Sequence, residues 1–123
     1  MRILLIDDSR EIRQLVAELL IRAGHEIVGQ AADGRTGLEM ALAQGPDLVI
    51  TDWRMPVMDG LEVTRRIRAA SPSLAILAFC STSAAMVHDA FLQAGTDSCI
   101  DKRDIQALLA AVRAVEHARP DGE

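Results

Sequence analysis

The chain has no tyrosine, one tryptophan and two phenylalanines, so stacked rings cannot build its interior. Half of its 123 residues are hydrophobic, drawn chiefly from Ala, Leu, Ile and Val, a palette that suits helices packed on a parallel sheet. Cysteine is scarce. Cys80 and Cys99 share no C-x-x-C or His-ligand spacing, which excludes a disulfide framework and makes buried, reduced thiols the simplest reading, as in a cytoplasm. Positive charge is the minority: 13 basic against 18 acidic residues give a net charge of −5, so no direct nucleic-acid partner is expected for this segment. Long apolar runs are absent as well. The first, Ile3 to Ile6, meets Asp7 and Asp8 at once and is too short for a signal peptide or a membrane span, so a soluble, cytoplasmic domain without membrane contact is expected.

At this length one domain with a sizeable core is the default, and no repeat, low-complexity stretch or internal linker interrupts it. Strand-length apolar runs recur at Ile3–Ile6, Ile27–Val28, Leu48–Ile50 and Leu74–Phe79, with a weaker one at Ser98–Ile100. Each is followed by a helical pattern. The first helix carries Ile12, Leu15, Val16, Leu19 and Leu20, with Ser9 as N-cap and Gly24 as stop. The second, about Gly34 to Ala43, offers Leu38, Ala41 and Leu42 and ends before Gly45-Pro46. The third runs from Gly60 through Val63 and Ile67 to Ser71-Pro72. A fourth presents Val87, Ala90, Phe91 and Ala94 before Gly95, and a fifth presents Ile105, Leu108, Leu109, Val112 and Val115. Alternation of this kind predicts an α/β, doubly wound parallel sheet with right-handed crossovers.

Ligands of such sheets bind beyond the carboxyl ends of the strands. The residues there are Asp7, Asp8, Asp52, Cys80 to Thr82, and Lys102. Two carboxylates about 4 Å apart repel by roughly 4 kcal/mol at an effective dielectric near 20, so three together require a cation or protons. Mg²⁺ is the natural partner, since it accepts one or two carboxylates, waters and a phosphate oxygen. Lys102 can neutralise a carboxylate or hold a phosphoryl oxygen. Acids, a metal and a lysine suit phosphoryl transfer to a carboxylate. Taken singly, Asp7 and Asp8 read as helix caps, Asp52 as a loop acid and Lys102 as solvated; their convergence at three strand ends carries the functional reading.

The runs Ile3-Leu4-Leu5-Ile6-Asp7-Asp8-Ser9 and Asp47-Leu48-Val49-Ile50-Thr51-Asp52-Trp53-Arg54-Met55-Pro56-Val57-Met58-Asp59-Gly60, followed by Ala94-Gly95 and Lys102, resemble the receiver domains of bacterial two-component response regulators. The resemblance implies a flavodoxin-like, CheY-like sheet of five strands in the order 2-1-3-4-5 with five helices. It implies a receiver over residues 1–118 and a polar tail or truncated linker over 119–123. Asp52 would be the phospho-acceptor, Asp8 a direct Mg²⁺ ligand, Asp7 a ligand through water, and the Arg54 backbone carbonyl a further ligand. Lys102 would pair with Asp52 or its phosphoryl group. The domain would assist its own phosphorylation without being a conventional turnover enzyme.

The resemblance has two gaps. The position of the hydroxyl that holds the phosphoryl group falls on Cys80, a poor donor, leaving Ser81 or Thr82 to take over. Cys99 stands where an aromatic usually reports the switch, and Arg103 replaces a frequent proline, which leans toward receivers of LuxR/NarL-type transcription factors. Cys80 and Cys99 read as core hydrophobes, with a redox pair on neighbouring strands as the alternative. His25, His88 and His117 match no ligand spacing and are assigned to surface or helix positions. Trp53, beside Asp52, should sense metal and phosphoryl binding.

The implied partners are a sensor histidine kinase or phosphotransfer protein, and a downstream protein or output domain read through the face of the fourth helix, fifth strand and fifth helix. A homodimer formed on phosphorylation belongs with them. Phe91, Met86 and the helix from Asp104 are candidate contacts there, although core-facing positions suit them better. Two other functions stay open: the amino-terminal receiver of a DNA-binding regulator, and a degenerate receiver that binds partners without phosphorylation. A flavodoxin-like cofactor binder fits poorly, because the first strand-to-helix turn is acidic where a phosphate cradle would be needed.

Overall fold

Strands covered on both faces must be apolar at successive positions, and Leu48–Thr51 is buried at every residue. In the computed structural model, which describes residues 1–119, this segment is β3. The described residues run β1 (Arg2–Ile6), α1 (Arg10–Arg22), β2 (Glu26–Ala31), α2 (Gly34–Gln44), β3, α3 (Gly60–Ala70), β4 (Ala75–Cys80), α4 (Ala85–Ala94), β5 (Ser98–Asp101) and α5 (Ile105–Ala118). All strand pairs are parallel and the sheet order is β2-β1-β3-β4-β5, as expected from the resemblance. Of the expected tail, residues 120–123 lie outside the described residues.

Alternation along the strands divides the core. Ile3, Leu5, Ile50, Leu77, Phe79 and Ile100 meet α1 and α5 through Val16, Leu20, Leu108 and Val112. Leu4, Ile6, Val49 and Ile76 face the other way, onto Ala41 of α2 and Val63 and Ile67 of α3. Ala78, Cys80 and Phe91 form a third cluster under α4. Burying one such aliphatic side chain contributes about 1.5–3 kcal/mol, so two packed layers supply the main stabilisation.

Helix starts follow local chemistry. Ser9, Asp33, Asp59 and Asp104 each accept a hydrogen bond from the amide three residues on, a cap contributing about 1 kcal/mol. α4 begins at Ala84 with no side-chain cap, so its first turn is held less tightly.

Several sequence expectations change. Leu15 and Leu42 fit a helical stripe but are 47% and 55% exposed, because the buried faces of α1 and α2 are narrower than the apolar pattern. β2 is longer than Ile27–Val28: a bulge, with Ile3 opposite Ile27 and Leu4 opposite Gly29, resets the register, and Gly29 and Gln30 continue the strand without an apolar signal. Met86 faces solvent at 83% exposure, whereas Phe91 is wholly buried. His25 is not a surface residue: it is buried, with Nδ1 2.9 Å from the amino-terminal nitrogen and Nε2 4.0 Å from Glu116. Burial and the nearby amino-terminal charge depress its pKa, against the opposing pull of Glu116.

Urea unfolding separates the two kinds of leucine in α1. Leu20→Ala, at a fully buried position, should lose about 2–5 kcal/mol, whereas Leu15→Ala should change stability by no more than about 0.5 kcal/mol.

Candidate functional site

Parallel strands deliver their carboxyl ends to one edge, and the main chain continues the ladder just past them. The Asp52 amide donates to Ile6 O at 2.8 Å, the Asp7 amide to Ala31 O at 3.0 Å, and the Lys102 amide to Cys80 O at 2.8 Å. Asp7, Asp52 and Lys102 are thereby fixed at the backbone before any side chain is considered. Asp7 is fixed twice more: its Oδ1 accepts from the Ser9 amide at 2.9 Å and its carbonyl from the Arg13 guanidinium at 2.6 Å.

The side chains converge. Lys102 Nζ lies 2.7 Å from Asp7 Oδ2 and 3.1 Å from Asp52 Oδ2, while Asp52 Oδ1 accepts from the Trp53 amide at 2.7 Å. Asp8 stands exposed beside them, and one oxygen of each of Asp7, Asp8 and Asp52 lies within 4.8 Å of the others. Burial, then the Asp7 charge, push the Asp52 carboxyl up to about 6, against the opposing pull of Lys102. Burial opposes the Lys102 ammonium, but its contacts with both carboxylates outweigh this and hold its pKa above the ordinary value. Three carboxylates against one ammonium leave two negative charges to be met from outside the chain.

A dication fits that deficit. Magnesium bonds of about 2.1 Å in an octahedron place neighbouring oxygens about 3 Å apart and opposite ones about 4 Å apart, a range compatible with the observed cluster.

The segment after Asp52 is held under strain. Val57 has φ 73°, unusual for a β-branched residue, and the Met58 amide donates to Pro56 O at 2.8 Å, closing a three-residue turn around it. Gly60 ends the loop against the backbone of Asp52: a Cβ there would lie 1.8 Å from Asp52 O. The Arg54 guanidinium stacks 4.4 Å over the Trp53 ring, a cation–π contact beside Asp52.

The hydroxyls do not join this group. Ser81 is exposed, and Thr82 Oγ1 accepts from the Ala84 amide at 3.1 Å, so it braces the start of α4. Cys80, last in β4, turns its sulfur to Cys99 Sγ at 3.8 Å and to Thr82 O at 4.0 Å. The Cys99 thiol holds Cys80 down to about 6 and is itself pushed up by the same contact. Sequence reasoning also missed Arg13, which braces Asp7, and His88, whose Nε2 lies 2.7 Å from Thr82 O; no spacing of either to the acidic motifs signals the contact.

The family model for the response regulator receiver domain matches residues 3–113. The chain belongs to the response regulator receiver domain family. Over 98% of its length this receiver is 37% identical to the response regulator MprA of Mycobacterium leprae, covering 54% of that protein. Over 97% of its length it is 31% identical to protein-glutamate methylesterase/protein-glutamine glutaminase 3 of Hahella chejuensis, covering 38% of that protein. A LuxR-family two-component response regulator from Aurantimonas sp. superposes with a TM-score of 0.90 at 29% identity, over 96% of this chain and 86% of that one. The receiver therefore spans about two fifths to just over half the length of these curated relatives. Receivers of this family typically bind Mg²⁺ at an acidic pocket, and in this chain Asp7, Asp8 and Asp52 form an acidic cluster at the strand ends.

Loop strain gives two substitutions opposite signs. Gly60→Ala should destabilise the receiver by about 1–3 kcal/mol through the clash with Asp52 O, and Val57→Gly should stabilise it by about 1 kcal/mol by relieving the positive φ. Thermal or urea unfolding of the two variants checks both.

Proposed function

We propose that Asp52 of this receiver accepts a phosphoryl group from a phosphohistidine of a sensor kinase or phosphotransfer protein, or from a small acyl phosphate. The observation that carries it is Lys102 Nζ between Asp7 and Asp52, at 2.7 Å and 3.1 Å, beside the exposed carboxylate of Asp8. An Asp52 oxygen attacks phosphorus, an oxygen–phosphorus bond forms, and the bond from phosphorus to the donor nitrogen or oxygen breaks. Asp8, Asp7 through water, Asp52 and the Arg54 carbonyl are the groups to hold Mg²⁺, which when bound shields incoming negative charge. Lys102 meets the phosphoryl oxygen and leaves its carboxylate partner as the charge arrives. The Trp53 amide orients the acceptor through Oδ1. Ser81, which is exposed, or Thr82, whose hydroxyl keeps its proton to donate while its oxygen accepts from the Ala84 amide, supplies the hydroxyl. Water hydrolyses the product slowly, so the receiver assists its own resetting and turns over no diffusible substrate.

The functional unit in this reading is residues 1–118, with 119–123 a tail or linker. The phosphoryl adds about −1.5 to −2 charges and shifts the population of the α4-β5-α5 face, which an output domain, another protein or a second copy reads. The longer relatives, MprA and the methylesterase among them, support an output domain beyond the receiver, and the likeness to the LuxR-family regulator favours a DNA-binding one. Among the described residues no helix is long and apolar enough to cross a membrane, and a cytoplasmic site of action fits a kinase-fed receiver. Cys80 at the hydroxyl position favours a second reading, a receiver that binds partners unphosphorylated.

Acetyl phosphate with Mg²⁺ followed by intact mass separates the two. The wild type should gain the mass of one phosphoryl group, Asp52→Asn should gain none, and Lys102→Ala should react about a hundredfold more slowly. No gain on wild type would favour the second reading. Magnesium titration should change the emission of Trp53, with affinity falling about tenfold or more in Asp8→Ala; an unchanged emission in wild type would remove the metal from the mechanism.

A further inference from the structure

The thiols on the last two strands form a second donor cluster that phosphoryl transfer does not use. Cys80 Sγ and Cys99 Sγ are 3.8 Å apart, and a ring nitrogen of His88 completes a set of three donors within 4.8 Å of one another. The strand register decides what the sulfurs can do. Cys80 lies opposite Asp101 and Cys99 opposite Ala78, so the cysteines are diagonal neighbours on β4 and β5. Strands about 4.8 Å apart with a rise of about 3.3 Å per residue put diagonal Cα atoms about 8 Å apart. A disulfide tolerates at most about 7 Å. Direct S–S bonding therefore requires backbone movement between β4 and the edge strand β5.

A bridging ion requires none. Two thiolates each about 2.3 Å from a tetrahedral Zn²⁺ stand about 3.8 Å apart, which matches the observed separation. His88 is prepared for the third position. Its Nε2 donates to the Thr82 carbonyl at 2.7 Å, and Cys80 Sγ lies 4.0 Å from the same oxygen, so the ring is anchored beside the thiols with Nδ1 as its unprotonated nitrogen. Cys80 is buried, whereas Cys99 and His88 are half-buried and give an ion its way in.

We propose that Cys80, Cys99 and His88 bind a thiophilic divalent cation of the zinc class, with the fourth position open to water or another small ligand. Binding releases the thiol protons to solvent and involves no change of oxidation state. The ion ties β4, β5 and the uncapped first turn of α4 together at one point. The site goes beyond the phosphorylation reading and does not depend on it.

Cobalt(II) titration of the reduced full chain in saturating Mg²⁺, which keeps the carboxylate cluster occupied, tests the site. One Co²⁺ per chain is expected, with a thiolate-to-cobalt charge-transfer band and the visible bands of a four-coordinate ion. Cys99→Ser and Cys80→Ser should abolish the charge-transfer band, His88→Gln should weaken binding at least tenfold, and Asp52→Asn should leave it unchanged. Zn²⁺ should displace the cobalt and raise the Tm of wild type but not of Cys99→Ser. Circular dichroism reports whether each variant folds; should the buried Cys80→Ser fail, the half-buried Cys99 and His88 variants decide. A wild type without the charge-transfer band, or a band that survives in folded Cys99→Ser, would overturn the proposal.

Discussion

Lys102 bridges two buried carboxylates, 2.7 Å from Asp7 and 3.1 Å from Asp52, and the rest of the site is organised around the cost of that arrangement. Removing one partner from a buried charge cluster leaves an uncompensated ion, which costs about 3–5 kcal/mol. The backbone therefore fixes all three residues at strand ends, and the packed layers beneath supply the stability that such a cluster draws down. With Asp8 added, the edge remains short of positive charge. A pocket with this deficit attracts a dication, and a dication together with the lysine makes an anionic phosphoryl group tolerable there.

Geometry after the acceptor follows from the same demand. Asp52 can be presented only if the chain turns away from it at once, and the turn is paid for in conformational strain at Val57 and in the absence of a side chain at Gly60. The carbonyl of Asp52 occupies the space a Cβ on residue 60 would need, so the start of α3 and the acceptor are in direct backbone contact. Strain at a loop beside a buried carboxylate is a local departure from the rule that each residue suits its backbone, compensated by the surrounding core.

The parallel sheet, its helices and the acidic edge were legible because each rests on a repeated signal. Buried strands show as apolar runs, helices as stripes, and the three acids as the residues directly following the strands. What escaped notice depends on tertiary partners. Nothing near Leu15 or Leu42 says that their helices turn those positions to solvent, and the bulge opposite Leu4 leaves no apolar mark in Gly29-Gln30. His25 reads as a surface histidine until the amino terminus and Glu116 are brought beside it. His88 and the two cysteines come from three separate elements, so only the strand register makes them a cluster.

The same register bears on how a charge change at Asp52 reaches the outer face. A thiol is a weak donor, and Cys80 Sγ is engaged with Cys99, so the side chain at the end of β4 is a poor carrier of the signal. The main chain offers a better one. Lys102 meets Asp52 through its ammonium and Cys80 through its amide, so one residue links the carboxylate to the β4–β5 pairing. Beyond that pairing lies the first turn of α4, which has no side-chain cap at its N-cap residue and is braced by Thr82 and His88. That helix start is held by two side-chain bonds to one loop residue and adjoins the solvent-facing Met86.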